Sequence, residues 1–176
     1  NIAHSVLHYQ VAMQITAADR SILAVPISHV TGLVALVGAI IGAGGTLIIM
    51  AGFKADEFLQ LAEHERMTHT LIVPAMFNLC LLQPRIHDAD LSAWRVAGYG
   101  GAIMPEVTLE KISRHLPQLS LINAYGATET TSPAVLMPPS FATDRADQVG
   151  LPVPCAEIFV MDSSGCEVPR GEAGEI

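Results

Sequence analysis

Residues 30–50, VTGLVALVGAIIGAGGTLIIM, carry no charged side chain, and none occurs anywhere between Arg20 and Lys54. Such a run is long enough to span a bilayer, and Gly38 and Gly42 stand at the GxxxG spacing that pairs helices in lipid. The same run also reads as a buried helix, a turn and a buried strand, and three features favour that reading. Gly42, Ala43, Gly44 and Gly45 form a helix stop, not a helix middle. TLIIM at 46–50 has the length and branching of a core strand. The remainder of the chain alternates short strands with helices, an architecture that buries such elements on both sides. A helix over 30–41 and a strand over 46–50 are therefore expected, with no transmembrane segment.

Outward from that stretch the rhythm continues. Helices are expected over 1–16, 56–66, 75–82 and 105–115, and strands over 21–25, 70–73, 95–99 and 119–124. Pro74 and Pro105 fit the first turns of their helices. Residues 83–93 are polar and read as a loop. This βαβα order predicts an α/β fold: a doubly wound, mainly parallel sheet with helices on both faces. After Met137 the composition changes. Pro138, Pro139, Pro152, Pro154 and Pro169 punctuate short runs such as 157–161, so 138–176 reads as the truncated start of a β-rich subdomain following an α/β subdomain at 1–137. The absence of an initial Met and the strand-like GEI at 174–176 suggest an excerpt of a longer protein.

Composition excludes some functions. The chain has 51% hydrophobic residues, a net charge of −8 and only nine Lys and Arg, so clustered cations for nucleic acid are lacking. Cys80, Cys155 and Cys166 are odd in number and lack CxxC spacing, which fits free thiols in a reducing, cytoplasmic compartment. His64 and His69 lie five apart, not the four of a zinc-protease helix. His4 and His8 are four apart but lack a third ligand. No GxSxG elbow is present.

Two loops follow expected strands, where open α/β sheets bind ligands. Gly98, Tyr99, Gly100, Gly101 and Ala102 read either as a tight turn or as a place where a flat ring approaches the backbone. NAYGATETT at 123–131 is either an ordinary polar loop or a site. In the second case Tyr125 offers a stacking face, Thr128 a hydroxyl, and Glu129 a hard oxygen for Mg²⁺.

That second loop resembles the YGxTE signature of the adenylate-forming (AMP-binding) superfamily, and four other segments occur in the family's order. Pro26, His29 and Gly32 are similar to its Pro-x-x-His stretch, and Gly100, Gly101, Ala102 and Pro105 to its GGAPL-type loop. VGLPVP at 149–154 resembles the VGxPxP segment, and GEAGEI at 171–176 the PGEI strand. The resemblance implies an internal part of the large N-terminal domain of an acyl-CoA synthetase. Such an enzyme uses ATP to convert a carboxylic acid to acyl-AMP and passes the acyl group to CoA.

It also implies roles. Tyr125 would stack on adenine, with Gly100, Gly101 and Ala102 on its other face and Asn123, Ala124 and Gly126 beside it. Thr128 would meet the α-phosphate, and Glu129 would hold Mg²⁺. His29, Val30, Gly32, Gly100 and Ala127 would line the acid site, although His29 alone also reads as a packed loop histidine. Amino-acid-activating relatives place an Asp near the His29 region to hold the substrate ammonium. Residues 27–29 offer none, so a hydrophobic acid is favoured over a peptide-synthetase substrate. A non-catalytic nucleotide-binding module is the alternative from another class. The family's lysine-bearing phosphate loop and catalytic lid lie outside these motifs. The isolated chain is therefore expected to be inactive and to self-associate through apolar surface.

Overall fold

The computed structural model describes residues 1–138 and 148–176. Pro139 lies outside the described residues. The order of elements is α1 (Ile2–Met13), β1 (Arg20–Leu23), a π-helical stretch Thr31–Gly38 running into α2 (Ala39–Gly42), β2 (Thr46–Ile49), α3 (Ala55–His64), β3 (His69–Ile72) and α4 (Pro74–Leu81). A 3₁₀ turn (Pro84–His87), β4 (Val96–Tyr99), α5 (Glu106–His115), β5 (Ser120–Tyr125), β6 (Val135–Leu136) and β7 (Leu151–Pro152) follow. The seven strands form one sheet in the order β2-β1-β3-β4-β5-β6-β7. Pairings among β1 to β5 are parallel, and β6 and β7 add antiparallel.

Alternate strand residues point to opposite faces, and each face is apolar. Ile22, Ile72 and Ala97 pack with Phe58 of α3, Phe77 of α4 and Ile112 of α5. Leu23, Leu71 and Val96 pack with Tyr9 and Met13 of α1 and with Ala35, Leu36 and Ile40. This is the doubly wound α/β sheet expected from the rhythm. Trp94, fully buried, stacks on Phe77 at 6.1 Å and meets Phe58 edge-on at 5.9 Å.

The apolar run at 30–50 is only partly buried: Leu36, Ala39 and Ile40 lie in the core, Leu33, Ile41 and Ile49 are exposed, and β2 is an edge strand with no buried residue instead of the buried core strand expected, because β1 covers only one of its sides. No described helix is long and apolar enough to cross a membrane. The glycine pair of the run serves a different contact. A Cβ on Gly38 would stand 2.7 Å from Val6 Cγ2, and one on Gly42 would stand 2.9 Å from Gln10 Nε2. The spacing thus lets α1 approach at close range, and Gln10 Nε2 also donates to the Ala39 carbonyl at 2.9 Å. The helix stops as its glycines predict. The amides of Gly44 and Gly45 donate to the carbonyls of Ile41 and Ile40, the paired bonds of a Schellman cap.

Further expectations need correction. The run at 30–41 is largely π-helical, a rare form that no propensity marks. The loop at 83–93 contains a 3₁₀ turn. Residues 157–161 are not a strand: Met161 makes only isolated bridges to Glu167 and Glu175, the latter being all the pairing at 174–176. The sheet itself runs past residue 137, because β7 pairs with β6.

At the rim formed by the strands' amino ends, Asp19 is 4% exposed. It accepts from Arg95 Nε at 3.0 Å, Arg95 Nη2 at 2.7 Å, Thr68 Oγ1 at 2.6 Å and the Thr16 amide at 2.8 Å. Arg95 also donates to the Met13 and Gln14 carbonyls, closing the end of α1. Burial alone would raise the Asp19 pKa. The hydrogen bonds from Arg95, Thr68 and Thr16, with the Arg95 charge, outweigh it and hold the carboxyl at about 2. Nearby His69 is fully buried between Ser21 Oγ at 3.0 Å and Met13 Sδ at 3.1 Å, and burial pushes its pKa down to about 4.

Both shifts act in the same direction. The unfolded chain protonates His69 from its ordinary 6.5, whereas the folded chain resists until about 4. Stability therefore falls as pH drops through that window, and falls again between 3.8 and about 2 as Asp19 is neutralised. Urea midpoints measured against pH are expected to show both losses, and His69→Gln should flatten the upper one. Arg95→Ala, which strands the Asp19 charge, is expected to cost about 3 kcal/mol at neutral pH.

Candidate functional site

The carboxyl ends of β1 to β4 enclose a cavity of about 790 Å³. Its walls come from Leu23, Val25, Pro26 and Ile27 after β1, residues 49–53 after β2, Leu71, Val73 and Met76 around β3, and Gly100 and Gly101 after β4. His29 and Thr31 supply polar side chains, and no Asp, Glu, Lys or Arg lines the cavity among the described residues. The lining is thus mostly apolar, with its polar side chains gathered at His29 and Thr31.

Strand geometry explains the glycines. A side chain on Gly100 would collide with the Ala124 carbonyl oxygen, so the exit of β4 lies directly against the end of β5. Gly101 then takes a left-handed φ of 76° to turn the chain outward. This contact joins the cavity to the second loop. There Ala124 is buried and Tyr125, the last residue of β5, is 38% exposed.

The loop is pinned by its own bonds. Thr130 Oγ1 accepts from the Ala127 amide at 3.1 Å and donates to the Ala127 carbonyl at 3.0 Å. The Ser132 amide donates to Ala127 at 3.1 Å, and the Ala134 amide returns to the Tyr125 carbonyl at 2.9 Å. Gly126 fits beneath Ser132 and Pro133, where a Cβ would stand 3.0 Å from Ser132 Oγ. Ala127, Thr128 and Glu129 face solvent.

His29, Gly100 and Gly101 therefore share the cavity wall, whereas the residues of the second loop do not line it. Ala102 is exposed beside Gly101. Asn123 sits within β5 and donates to the Gln148 carbonyl at 3.4 Å. Val30 is half-buried. Gly32 lies behind the wall, where any side chain would strike the Pro26 carbonyl, so it shapes the loop that carries His29. Among the described residues, no three His, Cys, Asp or Glu side chains gather into a metal cage. A single exposed carboxylate, Glu129, beside hydroxyls fits an Mg²⁺ shared with substrate phosphates, which takes one or two protein carboxylates.

Several participants carry no sequence signature. The wall at residues 49–53 was findable only from its place after a strand. Tyr9, 1% exposed in α1, pairs its hydroxyl with Ser132 Oγ at 2.8 Å, across 123 residues of sequence. Burial raises the Tyr9 pKa to about 12, so the phenol stays protonated and the bond persists across the physiological range.

The chain matches the family model described as AMP-binding enzyme over residues 1–176. It is 32% identical over 163 residues to an indoleacetate–CoA ligase of Aromatoleum aromaticum, covering 93% of this chain and 32% of that protein. It is 33% identical over 164 residues to the medium/long-chain-fatty-acid–CoA ligase FadD8 of Mycobacterium tuberculosis, covering 91% and 28%. Among solved structures it resembles ATP-bound MatB from Rhodopseudomonas palustris with a TM-score of 0.84 at 27% identity, covering 98% of this chain and 34% of that one. The chain thus spans about a third of the length of the curated relatives it matches.

The Tyr9–Ser132 bond is expected to hold the loop at 126–132 in place. Tyr9→Phe and Ser132→Ala should each cost about 1 kcal/mol and raise amide hydrogen exchange in that loop. The double variant should be no worse than either single one. Fully additive losses in a double-mutant cycle would show that the two groups act separately.

Proposed function

This chain belongs to the AMP-binding enzyme family, and from that premise we propose that it forms the acid- and nucleotide-binding face of an AMP-forming acid–thiol ligase acting on a hydrophobic carboxylic acid. The observation that carries this reading is the uncharged cavity of about 790 Å³, which runs from β2 to Gly100 and Gly101 and has His29 on its wall. An amino-acid substrate would bring an ammonium, and burying it without a carboxylate partner is costly. The cavity supplies no such partner among the described residues. In this reading residues 1–137 carry the acid and nucleotide contacts, and 138–176 begin the next subdomain.

The chemistry follows from what each wall can do. The apolar cavity holds the acid's body and excludes water, and His29 meets its carboxylate. The carboxylate oxygen then attacks the α-phosphorus of ATP, giving acyl-AMP and pyrophosphate, and the thiol of CoA displaces AMP from the acyl carbon. Tyr125 stacks on adenine at the end of β5, against the backbone of Gly100, Gly101 and Ala102. The Thr128 hydroxyl donates to an α-phosphate oxygen, where charge builds in the transition state. Mg²⁺, held by Glu129, would supply further neutralisation of the phosphate charge.

Pyrophosphate exchange by the intact protein tests the reading. Exchange is expected with apolar aryl or alkyl carboxylic acids and not with amino acids, and Glu129→Gln should reduce it about 100-fold. The isolated 176-residue chain is expected to form no acyl-AMP. Exchange driven by amino acids, or an intact protein that binds nucleotide without any acid-dependent exchange, would overturn it.

A further inference from the structure

His29 occupies a particular place in the backbone. Its carbonyl accepts from the Leu33 amide at 2.9 Å, so it sits as the capping residue where the helical stretch begins. Its side chain does what a capping Asn or Asp does. Nδ1 accepts from the Thr31 amide at 3.2 Å, and the Thr31 hydroxyl lies 3.0 Å from the same nitrogen. A backbone N–H can only donate, so Nδ1 must present its lone pair. A neutral imidazole then carries its proton on Nε2.

From this we infer that Thr31 fixes His29 as the Nε2–H tautomer, so that His29 meets the acid as a neutral hydrogen-bond donor and not as a base. The lone pair a base would need is already engaged by the Thr31 amide. The remaining nitrogen, Nε2, makes no other hydrogen bond among the described residues, and the ring lines the cavity beside Thr31. Donation from Nε2–H to one carboxylate oxygen would orient the acid while leaving its other oxygen with a lone pair for attack. Thr31 is thus a positioning residue, acting through His29. The inference rests on the proposed reading of the cavity for the identity of the acid, but not for the tautomer.

Two measurements separate these parts. In the intact protein labelled with ¹⁵N-histidine, and with the His29 signal assigned by its loss in His29→Gln, Nε2 is expected to resonate as a protonated, pyrrole-type nitrogen and Nδ1 as a pyridine-type one. A protonated Nδ1 in the neutral ring overturns the inference, whatever the enzyme's substrate. The second measurement uses the geometry of amide side chains. In His29→Asn the Asn oxygen stands in for Nδ1 and keeps the cap, but the donor is lost. In His29→Gln the Gln amide N–H reaches the place of Nε2. The KM for the acid in pyrophosphate exchange is expected to rise about tenfold or more in His29→Asn, and to return toward the unsubstituted value in His29→Gln. Equal loss of kcat in both variants, with KM unmoved, would mean that a base had been removed and would overturn the donor role. Absence of acid-dependent exchange in the unsubstituted protein would instead refute the proposed function, with the tautomer still decided by the ¹⁵N spectrum.

Discussion

The pairing of buried Asp19 with the part-exposed Arg95 sets the frame from which everything else is placed. Desolvating a carboxylate is expensive unless its lone pairs are filled, and here Arg95, Thr68 and Thr16 fill them. Three of these four residues lie immediately before a strand: Asp19 before β1, Thr68 before β3 and Arg95 before β4. Backbone bonds step outward from the same point. The Thr46 amide donates to Asp19, Thr68 to Arg20, Arg95 to Thr68 and Ser120 to Arg95. Register in a parallel sheet follows from the first bonds made, because a slip of one residue would turn every apolar side chain to the wrong face. One clamp at the amino rim therefore fixes which residues emerge at the carboxyl rim, where the cavity is.

Helix α1 carries that constraint across the molecule. Its last carbonyls are held by Arg95, its middle is seated against Gly38 and Gly42, and its Tyr9 reaches Ser132 beyond β5. The helix thus links the clamp to the loop that follows Tyr125. The buried, protonated Tyr9 hydroxyl suits this task, since it satisfies Ser132 in a site that is 7% exposed. A loop whose outer face is polar and solvated is held from beneath by a bond that water cannot easily compete for.

Much of the frame was legible in the sequence, because apolar runs of four or five residues bounded by Gly and Pro leave few alternatives to buried parallel strands. What stayed hidden depends on tertiary partners. No local propensity marks the π-helical form of residues 31–38, which approach α1 closely at Gly38 and the Pro26 backbone at Gly32. β6 and β7, two residues each, are shorter than any periodic signal and exist by pairing with the end of β5. Trp94 falls between the expected loop at 83–93 and the expected strand at 95–99, yet it packs against α3 through Phe58 and against α4 through Phe77. At the candidate site, the motif residues announced themselves by type, whereas Tyr9, Thr31 and the wall at 49–53 did not. Their roles come from position and from a backbone amide, which every residue possesses.

Charge placement bears on how the proposed activity would meet its nucleotide. Among the described residues five cations are committed to ion pairs: Arg20 with Glu65, Lys54 with Glu57, Arg66 with Asp90, Arg85 with Asp56 and Arg95 with Asp19. None of them lines the cavity. A polyphosphate approaching a chain of net charge −8 is therefore not drawn in by cations on this wall. In the proposed reading an exposed carboxylate at Glu129 would be useful instead of repulsive where the nucleotide brings a metal ion with it, because a metal between two anions reverses the sign of their interaction. In the same reading the acid would meet a wall with no Asp, Glu, Lys or Arg among the described residues. His29, donating from Nε2, would then orient the carboxylate without neutralising it, and the carboxylate would keep the electron density needed for attack.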